Sequence, residues 1–233
     1  MENNEKILEG HTDLEKGAYL GAIASIASAD RTASPEELEY LSNLCDNAEL
    51  SERQKAAVLR AASEEAGDDL VQCLNVLKNS DLKYSLVTDL MAFAKSDGDY
   101  TDDEKENIEK ISQHLGINEH QASLLDEFSE KAKAADTPPE EMSKPGFLSA
   151  LGLQDKMQND GINGKGLLKS LLGIAGPMIL AGMLTRGNRR GSSGGLGNML
   201  GTGGGLGSLI GMLSGGRSMN RSGGLLSRIF HRA

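Results

Sequence analysis

Slid against itself by 67 residues, the front half of this chain falls into register. "YLGAIASIASADRTASPEELEYLSNLCDNAELSERQ" (19–54) lies over "LVTDLMAFAKSDGDYTDDEKENIEKISQHLGINEHQ" (86–121). Ile23 meets Leu90, Ile26 meets Phe93, Ala27 meets Ala94, Leu41 meets Ile108, Leu44 meets Ile111 and Leu50 meets Ile117. Polar positions agree as well, Asp30 with Asp97 and Glu37 with Glu104. Each copy reads helix, acidic turn, capped helix, short turn, capped helix. Two units are too few for a solenoid, so the duplication points to two helical hairpins packed about a pseudo-twofold axis.

Apolar residues recur at spacings of three and four through residues 12–132. Leu20, Ile23, Ile26 and Ala27 make one stripe, and Leu38, Leu41, Leu44 and Cys45 the next. Leu86, Leu90, Phe93 and Ala94 make a third, followed by Ile108, Ile111 and Leu115, then Leu125 and Phe128. No alternation is sustained, so strands are not expected. The spacing predicts helices over 12–29, 35–47, 52–66, 68–78, 81–96, 102–115 and 119–133. Ser34-Pro35-Glu36-Glu37, Ser51-Glu52-Arg53-Gln54 and Thr101-Asp102-Asp103-Glu104 each match the reciprocal capping pattern S/T-x-x-E/Q. Pro35 falls at a first helical position, where a missing N–H costs nothing. The expected fold class is all-α, a compact bundle of about seven helices, and about 120 residues suffice to bury roughly two-thirds of their unfolded surface.

The pattern helix–A-x-x-D-G-x-x-x-x-x-E–helix, written twice and followed by "LGINEHQ", resembles the tellurite-resistance TerB-like domain, which is also found in membrane-linked J-domain co-chaperones. The likeness spans residues 12–133. The second copy, "SDGDYTDDE" (96–104), fits the pattern; the first carries Arg31 where the glycine stands and Thr32 where Asp99 sits. The resemblance implies an all-α domain tied to stress and metal-ion responses, with acidic residues that bind metal. There is no HPD motif, so the co-chaperone activity does not carry over.

The acidic turns admit more than one use. A calcium loop of the EF-hand type needs oxygen ligands at its first and third positions. Aligning Asp97, Gly98 and Glu104 with its second half puts Phe93 and Lys95 there, so a single EF-hand is excluded. Capping accounts for Glu37 and Glu104, and Asp102 and Asp103 suit the positive end of a helix. No capping rule calls for Asp30 and Asp97 at matched positions. If the two turns face one another, Asp30, Glu37, Asp97, Asp99 and Glu104 supply the oxygens that a divalent cation such as calcium takes. Against this, helix N-termini repel cations. A protein-docking acidic face is the remaining use.

The charge is divided. Residues 1–160 hold all 34 acidic residues and 15 of the Lys and Arg; residues 161–233 hold 9 Lys and Arg, no acid and 21 of the 29 glycines. The expected organisation is a helical domain over 1–133, a linker with a short amphipathic helix over 134–160, and a basic, glycine-rich, poorly ordered tail over 161–233. "SLLGIAGPMILAGMLT" (170–185) carries no charge, but as a helix it spans about 24 Å, short of the roughly 30 Å of a bilayer core. Shallow insertion suits it better, with Lys169 and Arg186 reaching to the headgroups. "RSGGLLSRIFHRA" (221–233) sets Arg221, Arg228 and Arg232 around Phe230, a basic amphipathic pattern suited to an anionic membrane, and Arg217 adds to it. Self-association of the tail, or its attraction to the acidic domain, are the other expectations. Aromatics are sparse, so the stacking surfaces of nucleic-acid binders are lacking.

Catalysis finds no support. The histidines, His11, His114, His120 and His231, are scattered, and no HExxH, CxxC, GxSxG or phosphate-loop pattern occurs. His114 and His120 flank a turn and are expected to be solvated. Cys45 and Cys73 fall in helical patterns and are expected as buried apolar groups. The N-terminus has no apolar run, which fits a cytoplasmic protein at the inner face of the membrane.

Overall fold

The structure is a computed structural model that describes residues 7–27, 33, 35–62, 67–95, 102–135, 137, 139–142, 144 and 146–172. Among the described residues there are eleven helices and no strand: α1 (Asp13–Ala27), α2 (Pro35–Asn47), α3 (Glu52–Ala61), α4 (Gly67–Leu77), α5 (Leu82–Ala94), α6 (Asp102–His114), α7 (Glu119–Ala134), α8 (Pro139–Met142), α9 (Phe147–Ala150), α10 (Gln154–Asn159) and α11 (Gly164–Ser170). The seven expected helices all form, each starting within one residue of its expected position. The main shortfall is α3, which ends at Ala61; residues 63–66 lie outside the described set.

The duplication is written in the backbone. A shift of 67 carries Pro35–Asn47 onto Asp102–His114, and Glu52 onto Glu119. Both α2 and α6 end in the same left-handed residue, Glu49 (φ 54°) and Gly116 (φ 71°). In each, the next amide reaches back to the last turn: Leu50 N–H to Cys45 O at 3.0 Å, and Ile117 N–H to Ser112 O at 2.9 Å. This paired closure satisfies orphan carbonyls and turns an apolar residue, Leu50 or Ile117, into the core. The next helices then start alike, with Ser51 Oγ accepting from Gln54 N–H and Asn118 Oδ1 from Gln121 N–H.

The caps differ in one respect from the expected S/T-x-x-E/Q boxes. At α7 the box is complete, since Gln121 Oε1 accepts from Asn118 N–H at 3.1 Å. At α3 the returning bond comes from α1 instead: Asp13 accepts from Ser51 N–H at 2.9 Å and from Ser51 Oγ at 2.7 Å. A carboxylate is the stronger acceptor, and Gln54 lies over Gly17 of α1, where a methyl group would fall 2.4 Å from Gln54 Oε1. The boxes at Ser34 and Thr101 lie outside the described residues. A further box, Thr12-Asp13-Leu14-Glu15, closes α1.

Helix α1 is the axle of the first half. It is buried on every side from Gly17 to Ser25 and packs mainly on α3 and α4. Gly21 allows the closest approach to α4, since a Cβ there would stand 3.0 Å from Cys73 Sγ. Helix α5 plays the same part in the second half, packing on α6 and α7. Tyr19, Leu20, Ile23, Leu41, Leu44, Leu74, Leu86, Ile111 and Phe128 are fully buried in one continuous core. Full burial of a leucine or isoleucine stabilises by about 1.5–3 kcal/mol.

The core does not stop at α7. Leu148, Leu153, Met157, Ile162, Leu167, Leu168, Leu171 and Leu172 belong to the same cluster. Helices α9 and α10 close as α2 and α6 do, with Gly152 (φ 69°) and Gly161 (φ 70°) in the left-handed place and Leu153 and Ile162 turned inward. The sequence suggests a linker over 134–160 and a tail from 161; the folded body instead runs through both to Leu172, the last described residue.

Candidate functional site

Each acidic turn joins the first two helices of a repeat. Glu37 is the third residue of α2 and Glu104 the third residue of α6, so the duplication sets them at equivalent places. Asp30, Asp97 and Asp99 lie outside the described residues, as do the side chains of Glu37 and Glu104. The described residues therefore neither join nor separate the five carboxylates.

What is described is how the turns are held. Ala33 N–H donates to Ala62 O at 3.1 Å, which seats the first turn on the end of α3. Lys95, where α5 ends, sets its ammonium 2.5 Å from Asp126 Oδ1 and 3.1 Å from Glu130 Oε1 on α7. Lys133 Nζ donates to the Lys95 carbonyl at 2.7 Å. Each turn thus begins or ends against the third helix of its own repeat. Among the described residues, no group of three or more His, Cys, Asp or Glu is placed to hold a metal ion.

A second polar centre was not anticipated. Asp89 of α5 is 1% exposed. Its carboxylate accepts from the Tyr19 hydroxyl of α1 and, at 3.0 Å, from the backbone N–H of Leu172. The Tyr19 hydroxyl is also 3.2 Å from the Ser170 carbonyl, and Ser170 Oγ is 3.4 Å from His11 Nε2. Burial first, then the Asp89 charge, pushes the Tyr19 phenol well above its ordinary range, and Tyr40 is raised by the same two causes. The sequence did hold a signal: Asp89 sits three residues after Leu86 and four before Phe93, on an apolar stripe.

A groove of about 320 Å³ lies between α7 and α10. His120 Nδ1 is 2.9 Å from Asp160 Oδ1, and Lys156 Nζ is 3.1 Å from both oxygens of Glu127. Its charges answer one another, and the His120 side chain is largely exposed. His114 has Asn75 Oδ1 at 2.9 Å; burial, then Lys78, lowers its pKa. Cys45 is buried and its thiol pushed up to about 12, chiefly by that burial; Cys73 goes to about 11 for the same reason.

Of the tail residues expected at a membrane, Lys169 is described, exposed on α11. Arg186, Arg217, Arg221, Arg228, Phe230 and Arg232 lie outside the described residues. No helix among the described residues is long and apolar enough to cross a membrane.

Fold and site together define an all-α domain made from a repeated helical hairpin, with a carboxylate-bearing turn in each half. Residues 16–127 match the family model described as "Tellurite resistance protein TerB", and this part of the chain is similar to that family. The match covers the repeat and stops before α8–α11. No curated protein and no solved structure matches the chain.

Proposed function

We propose that this is a non-enzymatic stress-response protein whose acidic helical domain binds a divalent cation, or a partner protein, and whose basic tail holds it to the inner face of the membrane. The cation site would draw on Asp30, Glu37, Asp97, Asp99 and Glu104, and calcium is the first ion to try, because five carboxylates offer only hard oxygen ligands. The observation that carries this reading is the match in register of the two hairpins at helix starts, helix ends and caps. Since Asp30 and Asp97 occupy one position of that repeat, a shared use explains both where capping explains neither. The TerB match over residues 16–127 points the same way. Lys169, Arg186, Arg217, Arg221, Arg228 and Arg232, with Phe230, would bind anionic lipid, each basic residue adding about 1 kcal/mol near the surface.

Titration calorimetry of the full chain with calcium and with zinc tests the cation site. An Asp30→Asn/Asp97→Asn variant should lose the heat that the parent gives; equal heats remove the site. Co-sedimentation with phosphatidylserine vesicles tests the tail. The parent should pellet, and an Arg221→Glu/Arg228→Glu/Arg232→Glu variant should remain in solution. Oligomers that never bind vesicles would instead make the chain a self-associating scaffold, and binding of DNA in preference to vesicles would make it a nucleic-acid accessory protein.

A further inference from the structure

Helix α11 has seven residues, too few to hold together alone in water. It forms because it is docked. Leu167, Leu168, Leu171 and Leu172 face the core, while Lys165 and Lys169 face solvent. The segment lies on α5, and its start is seated where Gly164 meets Leu148: a Cβ at 164 would fall 2.4 Å from Leu148 Cδ1.

What receives it is unusual for a core. Asp89 takes the Leu172 N–H, and the Tyr19 hydroxyl bridges Asp89 and the Ser170 carbonyl. The two strap groups that meet Tyr19 and Asp89 are backbone groups, so this pair reads the path of a peptide, while Ser170 Oγ adds one side-chain contact to His11 Nε2 at 3.4 Å. Tyr40, 5% exposed, carries a hydroxyl with no hydrogen-bond partner among the described residues, and it feels the Asp89 charge. A carboxylate and a phenol beneath the leucines of the strap make a floor suited to backbone donors and acceptors. The TerB match supplies α1 and α5, which carry this floor; the strap lies beyond it.

We propose that the α1/α5 face is a peptide-binding groove and that residues 164–172 are its internal ligand, an apolar segment with paired leucines whose last amide docks on Asp89. The site goes beyond the cation and membrane reading and uses none of its residues except Lys169, which points away. Tethering gives the strap a high effective concentration, so it outcompetes the same segment supplied free. The groove becomes available to a second such segment only when the strap is loosened.

The test uses the full chain. Leu172→Pro deletes the amide that Asp89 accepts, and Leu171 already has the extended conformation (φ −71°, ψ 122°) that a following proline requires. Tyr19→Phe removes the bridging hydroxyl and keeps the ring. Hydrogen exchange is followed at residues 164–171 and, as a reference, at α4. Fluorescence anisotropy follows a labelled peptide of residues 161–172. Strap amides should exchange about tenfold faster in either variant, the loss of one bond to a charged acceptor, with α4 unchanged. The labelled peptide should bind the Leu172→Pro variant, whose groove is intact, and neither the parent nor Tyr19→Phe, whose groove lacks the hydroxyl that the peptide also needs. Unchanged strap exchange, strap and α4 loosening together, or a Leu172→Pro variant that fails to capture the peptide would each overturn the proposal.

Discussion

Glu49 and Gly116 hold the same place in the two halves of the fold, and only one of them suits it. Both have positive φ, at 54° and 71°, and both N–H groups close onto the last turn, to Asp46 O and Gln113 O, each at 3.0 Å. A residue with a Cβ pays about 1–2 kcal/mol for left-handed backbone, whereas glycine gives up about 0.5–1 kcal/mol of unfolded-chain entropy. Glu49→Gly should therefore raise stability by up to about 1 kcal/mol, and Gly116→Ala should lower it by about the same amount. Urea unfolding checks both; two shifts of the same sign would contradict the matched roles.

The bond that ties α1 to the start of α3 is a second case. Asp13 holds both the N–H and the hydroxyl of Ser51, and the backbone bond first, then the hydroxyl, lowers the Asp13 pKa. Asp13→Ala and Ser51→Ala should each cost about 1 kcal/mol, near the usual value of a helix cap. Because each removes the other's partner, the double variant should cost clearly less than the two together. Additive losses in a double-mutant cycle would show that the two side chains act apart.

The repeat explains how much of this fold was legible in advance. Helices α1–α7 were readable because each is long enough to show an apolar stripe, and because the 67-residue shift let one half vouch for the other. The pattern S/T-x-x-E/Q marks the caps of α2, α3 and α6, but it does not contain Asn118 and it cannot show Asp13 taking the place of Gln54. Of helices α9–α11 the sequence marks only a short amphipathic helix within 134–160, where α9 and α10 form, and the rest is hidden for a different reason. Runs of four to seven residues show no period, and glycines 152 and 161, which end helices here, read as loop or tail when counted as composition. The acidic turns were visible as a pattern, but a pattern fixes only their places along the chain, not the distance between them. Asp89 broke an apolar stripe; a carboxylate at a core position is a sign of a partner, and its partner lay 83 residues away at Leu172.

Acid should loosen the start of α1. Glu15 is held at about 2, below its ordinary 4.5, first by the Ser80 hydroxyl and then by Thr12. A carboxyl whose folded pKa is depressed contributes stability that is complete above its unfolded value and lost as the pH falls through its folded one. The window is therefore from about 4.5 down to about 2. Glu15→Gln should be less stable than the parent at neutral pH, and the gap between their melting temperatures should close across that window. A gap independent of pH would remove the charge from the explanation.

Both thiols should be slow. Cys45 lifted from 9.0 to about 12 and Cys73 to about 11 leave little thiolate at neutral pH. From those shifts alone the thiolate fractions fall about a thousandfold and about a hundredfold. A chromogenic disulfide reagent should titrate two thiols at once in denaturant and react with the native chain far more slowly, Cys73 ahead of Cys45. Equal rates in native and denatured protein would mean that the α1, α2 and α4 packing opens readily.

The last prediction concerns the part of the chain beyond the TerB match. Met157 of α10 is buried in the shared core beside Leu148, Leu153 and Ile162. If α8–α11 were an appendage, emptying that position would leave the melting of α1–α7 untouched. Because the cluster is continuous, Met157→Ala should cost about 2–5 kcal/mol in a single unfolding transition, the range for truncating a buried aliphatic side chain. A chain cut after residue 134 should melt lower still and bind an apolar-surface dye, since the α5 and α7 faces lose the cover of α10 and α11. Two separate transitions for Met157→Ala, or an unchanged melting temperature for the shortened chain, would divide the body at α7 and make the strap a separate unit.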